Sequence, residues 1–417
     1  MAIETADPTP HSLGESALGG GGISLRAPLA YAMSTFFVWG LAYGLLDVLN
    51  KQFQETLHIG KAQSTWLQMA YFGAYLLMSL PAGVLVRRAG YKVGILSGLS
   101  VAAAGAFLFV PSASALSFPF FVASMFVLAT GLCVLETAAD TYVNVLGPAE
   151  GAERRLNLAQ SFNGLGVFIG PIIGGATFFG RMGHTAGTEG LHAVQVTYGV
   201  IGVLIVLFAA LVSRATLPEV AAGPSLAGGS GGLFRRRHFT LAVIAQALYI
   251  GAQVGCGAFF INAVVETWPG MTSQNGAFLL SLAMAGYLIG RFATTALMAR
   301  IRPRTILTAY GVINVILTLI VAAGIRHVSA VALVAVFFFM STMFATIFTL
   351  GVKDLGEDTK RGSSIMVMAI GGGVLLPYPM GLIAQAYGTP VAFLLPCACF
   401  ALVALYGWKG AAVRPGA

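Results

Sequence analysis

Charge is what this 417-residue sequence has least of: Asp, Glu, Lys and Arg make up 9% of it, against 57% hydrophobic residues. Soluble domains carry about 25% charged residues, so a chain surrounded by water on all sides is excluded. Cysteine is also scarce. Cys133, Cys256, Cys397 and Cys399 fall inside apolar runs without zinc-like spacing, which argues against a disulfide framework or a metal site. Histidine is missing from the apolar runs. His11, His58, His184, His192, His238 and His327 lie in tails, loops or run ends, so a buried histidine proton relay is not expected. The first 27 residues lack a continuous apolar stretch and include GESALGGGGIS, so they read as a disordered tail and not as a cleaved signal peptide.

What is present is a succession of long apolar runs. A helix crossing the hydrocarbon core, about 30 Å thick, needs about 20 mostly apolar residues. Cutting at charged or turn-rich breaks predicts spans over 28–50, 63–86, 93–112, 118–146, 157–180 and 195–216. A second set follows over 239–264, 275–299, 305–325, 328–352, 362–387 and 389–409. Between the sets, 217–238 holds Pro218, a Gly and Ser run and Arg235, Arg236 and Arg237, and reads as a polar linker. The expectation is an all-α membrane protein with a tail (1–27), a six-helix bundle (28–216), the linker, a second six-helix bundle (239–409) and a short tail (410–417).

The net charge of +8 does not indicate a nucleic-acid partner, because the basic residues cluster at the ends of apolar runs. With the N-terminus inside, 18 of the 23 Lys and Arg residues fall on the cytoplasmic side, and only Lys51, Lys61, Arg181 and Arg326 on the other. The positive-inside rule then places both termini, the linker and both tails in the cytoplasm. An internal repeat of about 212 residues runs through the chain: AYLL at 74–77 answers GYLI at 286–289, Arg88 answers Arg300, and Lys92 answers Arg304. LGPAEGAERR (146–155) and LGEDTKRGSS (355–364) follow the fourth span of each half. Two such halves, with basic loops after the second and eighth spans, resemble the major facilitator architecture, in which substrate binds near the midplane between the halves.

Of the 38 charged residues, only Asp47, Glu136, Asp140 and Arg291 fall inside predicted spans, apart from Arg214 and Lys409 at the cytoplasmic ends of theirs. A charge at membrane depth is costly and marks function by default. Glu136 lies ten residues from the inner end of the fourth span, roughly 15 Å deep and close to the midplane. A carboxyl there suits proton coupling; the alternative is a structural carboxyl bonded to a neighbouring helix. Asp47 faces the cavity mouth if the first helix runs on through Phe53, and is only interfacial if it stops near Asn50. Asp140 shares a helix face with Glu136 at i, i+4. Arg291 lies nine residues from Arg300, about 13 Å from the inner end of the eighth span. Either it pairs with Asp140 across the halves and closes the cytoplasmic side in one state, or it snorkels or meets a backbone carbonyl within its own half.

Hydroxyl-rich ligands need donors and acceptors together, which Gln and Asn supply, while aromatic rings cover the apolar face of a pyranose. The candidates are Trp39 and Tyr43 on the first span, Gln160 and Asn163 on the fifth, and Gln246, Tyr249, Gln253 and Asn262 on the seventh. Packing between helices accounts equally well for any one of them; the set favours ligand contact. Glycine-rich stretches, GLGVFIGPIIGG (164–175) and GGGVLLPYP (371–379), occupy matching places in the halves and suit helices that move.

FFVWGLAYGLLDVLNKQFQ (36–54), LETAADTYVNVLGP (135–148), RLNLAQSFNGLG (155–166), YIGAQVGC (249–256), PGMTS (269–273) and IGRF (289–292) together resemble the fucose permease family of sugar:proton symporters. The resemblance runs from about Phe36 to the last span. It implies proton-coupled sugar import, with Asp47 and Glu136 at the family's acidic positions and Gln160 and Asn163 at its fifth-helix positions. Tyr43, Gly44 and Leu46 stand where the L-fucose carrier has amides, which opens a glucose or galactose type hexose as an alternative to an L-fucose-like sugar. Asp140 and Thr141 stand where the family's motif usually continues Asn-Pro. The expected protein is a monomeric secondary transporter of the bacterial cytoplasmic membrane, working by alternating access, with the lipid bilayer and a monosaccharide as partners. Protons are its coupling ion, and no other cofactor, metal or nucleic acid is expected. The competing expectation is a facilitator or an exporter of another small polar solute. A membrane sensor is disfavoured by the lack of a soluble domain, and an enzyme by the lack of a nucleophile-and-base pair.

Overall fold

The computed structural model describes residues 26–146, 152–179, 188–217, 230–353, 355 and 359–410. Among them, twelve helices are long and apolar enough to cross a membrane. They are α1 (Ala27–Thr56), α2 (Lys61–Ala89), α3 (Tyr91–Ser114), α4 (Phe118–Val143), α5 (Leu158–Phe178) and α6 (Leu191–Arg214). The second six are α7 (Arg237–Ala258), α8 (Ser273–Met298), α9 (Pro303–Ala322), α10 (Arg326–Val352), α11 (Ile365–Tyr387) and α12 (Thr389–Gly410). Their ends lie within a few residues of the predicted ones, except that α1 runs on to Thr56 and α7 stops at Ala258, six residues short of the predicted end. The expected tails lie largely outside the described residues, as does the middle of the linker; residues 230–235 form a short 3₁₀ turn that leads into α7.

Within the halves the helices meet through small residues, which let backbones approach where lipid gives no hydrophobic drive to associate. Gly40 of α1 lies against the Asn163 backbone of α5, and Gly170 of α5 against Gly44 of α1. Gly98 and Gly131 bring α3 and α4 together in the same way, with a Cβ at either meeting the other helix's backbone. At the end carrying the basic loops, Lys92 of α3 donates to the carbonyls of Ser213 and Ala215, both at 2.8 Å, and so satisfies free carbonyls at the end of α6. Its counterpart one repeat later, Arg304 of α9, donates to the carbonyls of Gly407, at 2.7 Å, and Trp408 at the end of α12. The repeat seen in the sequence is thus a repeated fastening.

Several spans of the second half are interrupted. α7 breaks at Phe259 and continues as the helix Phe260–Thr267, α10 breaks at Ser341 and Thr342, and α11 carries a 3₁₀ segment over Ala369–Val374. That segment holds Gly371, Gly372 and Gly373. The middle one lies on the backbone of Ala247 in α7, and the outer two lie under Leu76 and Phe72 of α2. Bulkier residues there would force both the α7 and the α2 contact apart.

The side-chain hydrogen bonds that join the two halves are unevenly placed. Asn50 donates to the Ala258 carbonyl (2.7 Å), Asn262 to Gln54 (2.6 Å), Ser273 to Glu55 (2.5 Å) and Ser281 to the Phe168 carbonyl (2.9 Å). Lys61 pairs with Glu266 at 2.5 Å and donates to the Ala384 carbonyl at 3.2 Å. Glu266 in turn accepts from the backbone N–H and the hydroxyl of Thr389 at the start of α12. All of these lie in the half of the bundle remote from the basic loops. Among the described residues, no hydrogen bond or ion pair joins the halves at the basic end. The polar bonds described between the halves thus gather at one end.

A methyl group at Gly131 would run into the backbone of α3, whereas one at Gly286 meets nothing within 4 Å. Gly131→Ala is expected to lower the thermal unfolding temperature in detergent, at a cost of about 1–3 kcal/mol. Gly286→Ala should leave it unchanged or raise it slightly, by at most about 1 kcal/mol.

Candidate functional site

Because α1 continues to Thr56, Asp47 lies nine residues from its end, roughly 13 Å inside. Its side chain is 2% exposed, and Oδ2 is sealed from solvent without a hydrogen-bond partner. Gly257 of α7 faces this carboxylate and leaves no space for a side chain of its own. Gln68 of α2 lies beside it. Glu136 and Asp140 occupy successive turns of α4, each half-buried and each with one carboxyl oxygen sealed and unpartnered. The ion pairs among the described residues are Lys51–Glu55 and Lys61–Glu266. None of the three intramembrane carboxylates therefore has a described cation within 4 Å to offset the cost of its charge when it is ionised.

An aromatic wall stands next to these acids. The Trp39 indole donates to the Tyr71 hydroxyl at 3.1 Å. Tyr71 stacks on Tyr75, with ring centroids 5.3 Å apart and planes 24° apart, and Tyr43 leans on Tyr71 at 6.0 Å and on Phe72 at 6.2 Å. Trp39 and Glu136 line one narrow crevice together with Thr35, Phe36, Leu135 and Ala139. The sequence points to Trp39, Tyr43 and Glu136 as parts of a common site, and the structure brings them together. Tyr71, Tyr75 and Gln68 are functional candidates that the sequence did not single out. These three share a face of α2 at i, i+3 and i+7, a pattern that could have found them.

The amides are more divided. Gln160 on α5 and Gln253 on α7 are part-exposed. Gln246 is fully buried, and neither its Nε2 nor its Oε1 has a hydrogen-bond partner; buried polar groups are normally satisfied, so this amide is open to a further partner. Three expected ligand contacts are occupied otherwise in this conformation. Asn163 donates to the Phe36 carbonyl at 3.4 Å, where Gly40 lets α5 press against α1. The Tyr249 hydroxyl donates to the Met340 carbonyl at 2.8 Å, satisfying a carbonyl next to the break in α10. Asn262 lies past the break in α7 and joins the closed end through Gln54, away from the aromatic wall.

Arg291 does not meet Asp140 here. Its Nη2 donates to the hydroxyl of Tyr287 one turn earlier, at 3.3 Å, and its guanidinium lies over that ring, 5.3 Å from the centroid. Tyr287, which nothing in the sequence marks out, lies near both Tyr43 of α1 and Tyr249 of α7.

The sequence profile of the Major Facilitator Superfamily matches residues 29–376. The chain is 38% identical to the L-fucose-proton symporter of Escherichia coli (strain K12) over 403 residues, 91% of this chain and 92% of that one. It is 35% identical to the glucose/galactose transporter of Brucella abortus (strain 2308) over 378 residues, covering 90% and 92%. Among solved structures, it matches the major facilitator transporter FucP in the outward conformation with a TM-score of 0.69 at 35% identity, covering 94% of this chain and all of that one. The chain belongs to the major facilitator superfamily and, within it, to the fucose permease family of sugar:proton symporters.

Proposed function

We propose that this protein imports a monosaccharide together with a proton, and that the conformation described here is the inward-facing one. A wall of packed aromatic rings beside carboxylates with no described cation within 4 Å carries the reading: the rings suit a pyranose face, and the acids suit a proton. The basic loops support placing their end, with both termini, in the cytoplasm. The bonded end then faces outward, and the cavity opens to the cell interior.

In this scheme Glu136 takes a proton in the outward-open state, with Asp47 assisting, and the neutral carboxyl favours sugar binding. Trp39 and Tyr43 cover the ring, joined by Tyr71 and Tyr75, while Gln160, Asn163, Gln246 and Gln253 offer amides to the hydroxyl groups. The halves, residues 28–216 and 239–409, rock about the bound sugar, and the outer bonds form behind it. Asp140 and Arg291 lie toward the basic end of α4 and α8, where a pair between them would close the cytoplasmic side in the outward-open state. Replacement of helix-one amides by Tyr43, Gly44 and Leu46 favours a glucose or galactose type hexose over L-fucose. The carrier acts as a monomer in the bacterial cytoplasmic membrane.

In proteoliposomes given labelled D-glucose, D-galactose and L-fucose, an inward proton gradient should drive accumulation of one of these sugars above its external concentration. Glu136→Gln is expected to abolish that accumulation while counterflow exchange persists; uphill uptake by this variant would remove Glu136 from the coupling scheme. The outer ion pair gives a separate test. Lys61 and Glu266 are 25% and 32% exposed, so their charge attraction contributes at most about 1 kcal/mol. Glu266→Gln should therefore raise the maleimide labelling rate of a cysteine placed at buried Ala62 by up to about fivefold, whereas an unchanged rate would separate this pair from the closure.

A further inference from the structure

Asp140 is the acid that the family resemblance does not account for, since asparagine is expected at its place. Its position is informative. It lies one turn from Glu136 on the same face of α4, about 6 Å nearer the basic end. One carboxyl oxygen of each acid is sealed and without a hydrogen-bond partner. The Tyr75 hydroxyl, on a side chain that is 9% exposed, is likewise unpartnered and lies next to Glu136.

The surroundings leave the two acids to each other. On α4 itself Cys133 lies near Glu136, and on α2 Tyr71 and Tyr75 do so. From α1, Trp39 shares the Glu136 crevice. On the α3 side, Tyr91 packs on Tyr142. Just before α5, Arg155 donates its Nε to the Val143 carbonyl at 3.1 Å, and on α8 Arg291 is held by Tyr287. Among the described residues, no Lys, Arg or His lies within 4 Å of either carboxylate.

We propose that Asp140 is the exit relay for the coupled proton. The O–H bond of protonated Glu136 breaks, and the proton forms a new O–H bond on the Asp140 carboxylate, directly or through one water. The pair carries a single negative charge before and after this transfer, so the step buries no additional charge. Asp140 then gives the proton to water in the cavity open at the basic end. Adjacent carboxylates that share one proton titrate as a unit, and the unit places its outlet one turn closer to the cytoplasm than Glu136 alone.

The proposal rests on the symport reading, and the test separates the two. Wild type, Asp140→Asn and Asp140→Glu are reconstituted in proteoliposomes with whichever of D-glucose, D-galactose and L-fucose the wild type accumulates. Net uptake, proton influx and counterflow are recorded at a series of internal pH values. Wild-type net uptake should accelerate as internal pH rises. Asp140→Asn keeps an amide oxygen that can still accept from Arg291 in the closed gate but cannot carry the proton. Counterflow should therefore be retained while net uptake slows roughly tenfold or more and its pH profile flattens, and Asp140→Glu should restore the slope. A wild-type profile in Asp140→Asn overturns the relay. So does an equal loss of counterflow and net uptake in both variants, which marks a structural residue. Failure of the wild type to accumulate any of the sugars under a proton gradient defeats the symport reading itself and takes the relay with it.

Discussion

An ionised carboxylate inside a lipid-surrounded bundle has neither bulk water nor, among the described residues of this molecule, a cation to balance it, and much of the architecture is arranged around that constraint. Asp47 is held against Gly257, a position that admits no side chain. Glu136 sits at the edge of a ring of tyrosines, with one oxygen unbonded. A purely structural interior would have committed these oxygens to donors from neighbouring helices, as Tyr249 commits its hydroxyl to a carbonyl of α10. On the proposed reading, leaving them uncommitted makes uptake and loss of a proton the means by which the interior changes its charge.

That chemistry is useful only if access alternates, and the bonds between the halves are distributed accordingly. They crowd one end, where Lys61, Glu266 and Thr389 join α2, the far segment of α7 and α12 in one chain of contacts. At mid-depth the halves touch through glycine against aliphatic or aromatic side chains, such as Gly164 with Leu288 and Gly373 with Phe72. Contacts of this kind can slide or tilt without orphaning a polar group, whereas those at the closed end must be broken outright.

The spans were legible because an unbroken apolar run of about twenty residues is seldom anything but a membrane helix, and the repeat was legible because Lys92 and Arg304 perform the same task. The four intramembrane charges stood out for a related reason: each is an exception against an apolar background. Tyr71, Tyr75 and Tyr287 did not stand out, since an aromatic residue in an apolar helix looks like packing until its hydroxyl is seen beside an acid or a guanidinium. Asn262 misled in the opposite sense. Its place within the predicted seventh span looked continuous with Gln246, Tyr249 and Gln253, but the break at Phe259 carries it to the closed end. Local kinks of this sort depend on what the neighbouring helix offers and leave little trace in hydropathy.

The fastening of α6 by Lys92 bears on how the chain is made. The lysine and the carbonyls it holds, at Ser213 and Ala215, all belong to the first half of the sequence. That half therefore contains what it needs to tie its last helix to its third before the second half has been synthesised. Arg304 does the same for the second half, using Gly407 and Trp408 within the last residues described. Each half thus carries the fastening of its own last helix, independent of the contacts between the halves.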